Sequence, residues 1–353
     1  MADPSTLDFP PFPSDLPHAP IASISLSKLL SGDSETNSSV LTACQTHGFF
    51  YLDLRDSPPG LSLLSSANAL YKLSTSVFSL PLSEKRSYAF RPPESLFGYK
   101  PAGTVKQTDK DKRPDSTEFF NVAKDHLFGI TESRSYPAEI EERKEELRSF
   151  VKGAHEAAIH ILQVLARQLS LEADAFANLN RFEEPAGSHL RLTHKAAQPV
   201  DERAVGLPSH TDFGSVTLLF NWLGGLQIQS RVSGREGEWD FVKPLPGHAI
   251  VNLGDAMVKF TNGRLKSAKH RVVDVPGMQA GRERISVVYF MRPEDKTRMT
   301  PLRGFEDGEK LQVGGKFSAD GDDRVYTAAE WLAKRTVQLG SGPSDCPISA
   351  LGQ

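Results

Sequence analysis

The chain has 353 residues, 39% of them hydrophobic, with 41 basic against 44 acidic side chains and a formal charge of −3. That composition supports a large core, and the even spread of basic residues excludes the electrostatic footprint of a nucleic-acid or anionic-membrane binder, so a small molecule is the expected partner. Cys44 and Cys346 stand too far apart to suggest a disulfide framework. The opening MADPSTLDFPPFPSDLPHAP has neither the basic nor the apolar stretch of a secretion signal, and no run is long enough to span a bilayer. A cytoplasmic protein is expected, with its oligomeric state open.

Residues 1–20 hold six prolines, too many for a regular helix or a central strand, and predict an extended arm on the surface of the body. Ile21-Ala-Ser-Ile-Ser-Leu26 alternates as a strand does, Val40 to Thr46 reads as a helix, and Gly48-Phe-Phe-Tyr-Leu-Asp-Leu54 as a second strand. From Leu61 to Phe78 apolar residues recur at helical spacing. Leu80-Pro-Leu-Ser83 ends that helix and is placed to cap a short one over Glu84–Tyr88. Residues 90–118 lose periodicity; a long, charged, glycine-bearing stretch is expected to be either a loop over an active site or a solvated excursion. Pro137 opens the longest helical pattern, with Ile140, Leu147, Phe150, Ala154, Ile161 and Leu165 marking one face through Gln168.

Past residue 180 the pattern changes to short β-like runs, Ser188–Thr193, Ser215–Phe220, Leu226–Gln229, Trp239–Val242, Ala249–Leu253, His270–Val273 and Ile285–Met291, punctuated by Gly and Pro. Their number and spacing predict a sandwich or barrel of the jelly-roll kind. No glycine-rich phosphate or dinucleotide loop opens a helix. The closing GSGPSDCPISALGQ reads as a mobile tail.

His210-Thr-Asp212 sits just before the Ser215–Phe220 strand, where positions two apart project from one edge. Imidazole and carboxylate make a ligand set suited to Fe(II), and a third ligand would complete one face of an octahedron. By itself the triplet is a weak signal in a chain with ten histidines. His270, at the start of a predicted strand after Val251-Asn-Leu-Gly-Asp255, is the candidate third ligand. Arg284 and Ser286, two apart on the next strand, make a fork for the far carboxylate of a dicarboxylate. His194 is expected to be structural or to support a ligand from behind.

These pieces in order, His210-Thr-Asp212, Gly225-Leu-Gln-Ile228, Pro246-Gly247, Val251-Asn-Leu-Gly-Asp255, Thr261-Asn-Gly263, Ser267-x-x-His270-Arg-Val and Arg284-x-Ser286, resemble the iron/2-oxoglutarate dioxygenase superfamily, in the branch of isopenicillin N synthase and the plant flavonoid and gibberellin oxygenases. Cys44-Gln-Thr-His-Gly-Phe-Phe50 resembles that branch's amino-terminal portion. The resemblance implies a mixed α and β fold: a double-stranded β-helix (jelly-roll) core at 181–295, braced by helices. Residues 1–180 would form an arm, a strand-helix-strand extension, a lid loop and a long bracing helix, and 296–353 a closing segment and tail, all one structural unit. It implies Fe(II) on His210, Asp212 and His270, with 2-oxoglutarate and O2 as cosubstrates and Arg284 and Ser286 on the 5-carboxylate. Where many relatives read Asn-Tyr-Tyr-Pro, this chain has Thr193-His194-Lys195-Ala196, so a hydroxyl from Thr193 and a charge from Lys195 are expected to serve the cosubstrate instead. The implied reaction is hydroxylation, desaturation or rearrangement of a small, specialised-metabolite-like molecule with release of succinate and CO2; Asp at 212 leaves no vacant position for chloride, which disfavours halogenation. Two other functions remain open on these residues: an iron oxidase that does without 2-oxoglutarate, and a non-catalytic binding module on the same fold.

Overall fold

The computed structural model describes residues 9–91, 95–104, 115–197, 206–306 and 325–340, the last five as backbone only. Ser25 accepts a hydrogen bond from Lys28 N, which ends strand β1 (Ser23–Ser25) and starts helix α1 (Leu26–Ser31), so the strand expected over 21–26 is cut short by a cap. Asp33 caps α2 (Ser34–Thr46), accepting from Thr36 N at 2.8 Å, and the helix therefore begins six residues before Val40. Then come β2 (Phe49–Asp53), α3 (Pro58–Ser79), opened by a Ser57 cap with proline in its first turn, and α4 (Leu82–Ser87). Ser83 is not the cap of α4; the helix starts from Pro81 without a side-chain cap.

The stretch 90–118 is not a continuous loop. It contains β3 (Gly98–Lys100) and the start of β4 (Thr117–Ala123), while 92–94 and 105–114 lie outside the described residues. The strands escaped the alternation test because nearly all of their residues are buried, on both faces of the sheet. After α5 (Lys124–Phe128), the helix expected from Pro137 is broken in two: α6 (Ala138–Glu141) ends, Arg143 leaves helical geometry (φ −111°, ψ 21°), and α7 runs from Lys144 to Gln168.

The remaining elements are β5 (His189–Lys195), β6 (Leu207–His210), β7 (Val216–Asn221), β8 (Leu226–Gln229), β9 (Trp239–Phe241), β10 (His248–Leu253), α8 (Asp255–Phe260), β11 (His270–Val272), β12 (Arg284–Met291) and α9 (Ala328–Gly340). The large sheet has the order β1-β2-β10-β7-β12-β5-β4-β3 and the small one β6-β11-β8-β9, with all pairs antiparallel except β1 with β2. This is the double-stranded β-helix arrangement. Four of the eight strands in the large sheet come from before residue 181, so that sheet extends beyond the 181–295 segment. α3 and α7 cover its outer face: Leu70, Leu73, Val77, Phe150, Val151, Ala154, Ile161 and Leu162 join Leu190, Leu192, Val287 and Tyr289 in one buried cluster. The proline-rich arm, described from Phe9, lies on the small sheet. Phe241 N donates to Pro17 O at 2.9 Å, and the rings of Phe12 and Phe241 meet edge to face. No helix among the described residues is long and apolar enough to cross a membrane, and the tail 341–353 lies outside them.

Strand alternation divides the chemistry of β5. Leu190, Leu192 and His194 turn to the helices, and His194 stacks on Phe78 at 5.2 Å with its Nδ1 2.8 Å from Glu118 Oε1. Its role is structural. Glu118 Oε2 also accepts from Lys85 Nζ (2.9 Å) and Tyr99 OH (2.5 Å). Desolvation alone would raise the Glu118 carboxyl, but hydrogen bonds from His194, Tyr99 and Lys85 outweigh it and hold it at about 2. A carboxyl lowered on folding stabilises above its unfolded pKa and loses that contribution as pH falls towards its folded one. Glu118→Gln is therefore expected to cost about 2 kcal/mol at neutral pH, after allowance for partial exposure, with a deficit that shrinks towards about pH 3. Urea unfolding of both proteins at the two pH values checks this; an equal deficit at both would contradict it.

Candidate metal centre and cavity

His210 ends β6, and Asp212 lies in the turn that leads to β7, so the two converge through a chain reversal and not by alternation along one strand. His270 opens β11 directly across from His210 in the antiparallel register, which brings the ring centroids to 4.3 Å. Ligand atoms of these three residues all lie within 4.8 Å of one another.

Each atom not needed for a metal is already committed. Nδ1 of His210 faces Pro208 O at 2.8 Å and Nδ1 of His270 faces Ala268 O at 3.1 Å, so in the tautomer with Nδ1–H donating, both Nε2 lone pairs are free to ligate. Asp212 Oδ2 accepts from Thr217 Oγ1 and Asn252 Nδ2, both at 2.7 Å. Its Oδ1 is left 3.7 Å from each Nε2. Burial, with repulsion from His270, pushes the His210 imidazole down to about 4, so it is neutral at physiological pH, the form that binds metals. Desolvation would raise Asp212, but the neighbouring histidines and the Asn252 and Thr217 hydrogen bonds keep its carboxyl below the usual range. Two imidazoles and one carboxylate oriented from behind fit a divalent first-row metal.

The turn is held from outside by glycine-only approaches. A Cβ on Gly254 would lie 2.1 Å from Gly214 O, and that contact brings Asp255 N to 2.7 Å from Asp212 O. Asp255 Oδ2 in turn accepts from Thr211 Oγ1 (2.8 Å) and from Arg335 Nη2 of α9 (2.9 Å). Sequence patterns held no sign that α9 reaches back to brace this turn.

The triad borders a cavity of about 650 Å³, its open mouth included, lying between the two sheets. On β12 the residues Arg284, Ser286, Val288 and Phe290 line it while Val287, Tyr289 and Met291 enter the core; on β5 Arg191, Thr193 and Lys195 do the same. Arg284 is 3% exposed, donates from Nε to Gly224 O at 2.8 Å and lies 3.4 Å through Nη1 from Ser286 Oγ. Burial lowers its guanidinium only to about 10, so it stays charged, and no described carboxylate pairs with it. Lys195, opposite Arg284 in the register, is ion-paired with Asp274. Thr193, opposite Ser286, has its side chain at the cavity wall. All seven residues singled out from the sequence thus reach one cavity. Three others were missed: Thr217 and Asn252 behind Asp212, and Arg191. Asn252 stood within a quoted motif, and Arg191 broke the apolar character of its strand.

Two family models match the chain, the 2OG-Fe(II) oxygenase superfamily over residues 186–293 and the non-haem dioxygenase amino-terminal region over 20–143. The chain is 31% identical to the 2-oxoglutarate-dependent dioxygenase frbH of Dothideomycetidae sp. (strain 11243), over 80% of this chain and 85% of that protein. It is 30% identical to a 2-oxoglutarate-dependent dioxygenase of Aspergillus fumigatus, over 83% and 80%. Among solved structures, a full-length Neurospora crassa protein in complex with α-ketoglutarate superposes with a TM-score of 0.73 at 26% identity, over 90% of this chain and 96% of that one. An oxygenase-family protein from Caulobacter crescentus gives 0.73 at 25%, over 91% and 99%.

Proposed function

The chain belongs to the 2OG-Fe(II) oxygenase superfamily and is a 2-oxoglutarate-dependent dioxygenase, and from that premise we propose that His210, Asp212 and His270 are its iron ligands and that Arg284 and Ser286 hold the 5-carboxylate of 2-oxoglutarate. One observation carries the assignment: the two Nε2 atoms and Asp212 Oδ1 face one point, with every other polar atom of the three side chains committed to the protein. When bound, the iron supplies reductive activation of O2 coupled to oxidative decarboxylation of 2-oxoglutarate to succinate and CO2, and so the oxidant for a substrate C–H bond.

The chain's own residues do the rest. Asn252 and Thr217 fix the carboxylate plane of Asp212, and the Pro208 and Ala268 carbonyls fix the imidazole orientations. Arg284, charged and without a described counter-ion, attracts a carboxylate, while Gly224 O and Ser286 restrict its rotation. Thr193 and Lys195 border the same end; Lys195, neutralised by Asp274, would contribute a donor more than a net charge. The walls Phe49, Leu219, Leu226, Val288 and Phe290 keep water from the reacting end and suit a small molecule with an apolar body.

Succinate release tests this reading. Purified protein with Fe(II) and 2-oxoglutarate is expected to form succinate even without prime substrate, at a slow uncoupled rate, and to stop when iron is chelated. Oxidation of any substrate at full rate without 2-oxoglutarate would contradict it.

A further inference from the structure

Arg191 projects from β5 into the cavity on the same strand face as Thr193 and Lys195. Its guanidinium carbon lies 4.0 Å from the Phe119 ring centroid and 4.8 Å from that of Phe290, so two aromatic rings pack against it. Nε donates to Asn121 Oδ1 at 2.7 Å. The group is thus fixed in position at three points, and its two Nη nitrogens have no hydrogen-bond partner among the described residues. They are also not sealed off: the buried, unpartnered nitrogens include Nη1 of Arg292 but none of Arg191. What remains open to them is the cavity.

The charge balance points the same way. Burial, with repulsion from Arg292, lowers the Arg191 guanidinium to about 9, still protonated at neutral pH, and the carboxylate opposing this is Asp212. No described carboxylate forms an ion pair with Arg191. Arg292 has Asp295 as a second acidic neighbour; Arg191 does not. Once Asp212 ligates iron its charge is committed to the metal, and the cavity wall carries a fixed, part-buried arginine with no described counter-charge, a place that favours a bound anion. On the reading above, 2-oxoglutarate spends one carboxylate on the metal and the other on Arg284, four residues and about 13 Å along the sheet from Arg191. Neither is left over.

We propose that Arg191 is a specificity-determining residue that binds a carboxylate of the prime substrate, so that the enzyme oxidises an organic acid with an apolar body. The two Nη groups offer a forked donor to both carboxylate oxygens. Val288, its register neighbour Leu219, Phe290 and Phe49 from the large sheet and Leu226 from the small one supply the apolar contact, with the acid anchored on the β5 side of the metal. The proposal rests on the assignment of the iron and cosubstrate sites, and its test separates the two.

The probes are benzoate, cinnamate, naphthoate and decanoate, each against its own methyl ester. Binding to the full chain loaded anaerobically with Fe(II) and 2-oxoglutarate is read by calorimetry, and stimulation of succinate release is read in air. At least one acid is expected to bind about tenfold or more tightly than its ester, and that preference to disappear in Arg191→Met and persist in part in Arg191→Lys. The 2-oxoglutarate half-saturation, read from the visible charge-transfer band of the iron complex, is expected to be the same in wild type and Arg191→Met. Equal binding of acids and esters by the wild type, or no acid bound in preference to its ester, overturns the proposal without reference to any variant. A raised 2-oxoglutarate half-saturation in Arg191→Met also overturns it, by placing Arg191 on the cosubstrate. Absence of the charge-transfer band in the wild type instead overturns the underlying iron assignment.

Discussion

Asp212→Ala is expected to lower 2-oxoglutarate turnover by on the order of a thousandfold or more, about 4 kcal/mol of transition-state stabilisation. The triad is held by three side chains on two strands and a turn, and only Asp212 contributes negative charge to it. Without that charge, two imidazole rings with centroids 4.3 Å apart are left to hold a dication in a largely buried site. The same change strands Thr217 Oγ1 and Asn252 Nδ2, both of which donate to Asp212 Oδ2, so disturbed packing would add to the loss. Asp212→Asn separates the two effects. It is nearly isosteric and keeps a side-chain oxygen, but it has no charge. Loss of iron binding in both variants, with unfolding transitions in Asp212→Asn close to wild type, is the expected result, checked by metal analysis of the purified proteins and succinate assay. Near-normal iron content and turnover in Asp212→Asn would show that the carboxylate charge is not needed.

Arg284→Met is expected to raise the 2-oxoglutarate concentration for half-maximal rate by about two to three orders of magnitude, the range of about 2–5 kcal/mol associated with breaking a buried, charge-assisted contact. Methionine keeps much of the volume and removes only the charged fork. Because the lost interaction serves cosubstrate binding alike in the ground and transition states, the rate at saturating 2-oxoglutarate should largely recover. Arg284→Lys is not a rescue on this account. A lysine ammonium cannot donate to Gly224 O and grip a carboxylate with the fixed geometry of Nε and Nη1. Initial rates across a 2-oxoglutarate series decide it; an unchanged half-saturation in Arg284→Met would move the cosubstrate's far carboxylate elsewhere in the cavity.

What could be read in the sequence follows from which residues face water or a helix and which face both. β7, β8, β10 and β12 stood out because turns bound short β-rich runs, and the paired Arg284 and Ser286 were legible because period-two alternation does not depend on knowing the partner strand. β3 and β4 were hidden because they are buried on both faces, next to a charged stretch that read as loop. β6 is a four-residue strand containing Pro208, below what propensity detects, yet it carries His210. The proximity of His270 to His210 was legible only through the order of family-like motifs, since the pairing of β11 with β6 joins residues sixty positions apart. Arg191 was overlooked for a related reason. Its significance lies in what it lacks, a carboxylate partner, and that is a property of Phe119, Asn121 and Phe290 closing around it, not of the local sequence. The departure at Thr193-His194-Lys195 also resolves in three dimensions: His194 faces the helices and binds Glu118, leaving Thr193 and Lys195 on the cavity side.

The central claim is that His210, Asp212 and His270 hold the iron on which 2-oxoglutarate is activated. Anaerobic titration of the metal-free protein with Fe(II) in the presence of 2-oxoglutarate tests it most directly, because a chelated 2-keto acid on iron gives a visible metal-to-ligand charge-transfer band. The account predicts a band that saturates at one iron per chain and is absent in His210→Ala and His270→Ala. A band of full intensity in either variant, or none in the wild-type protein, would contradict it.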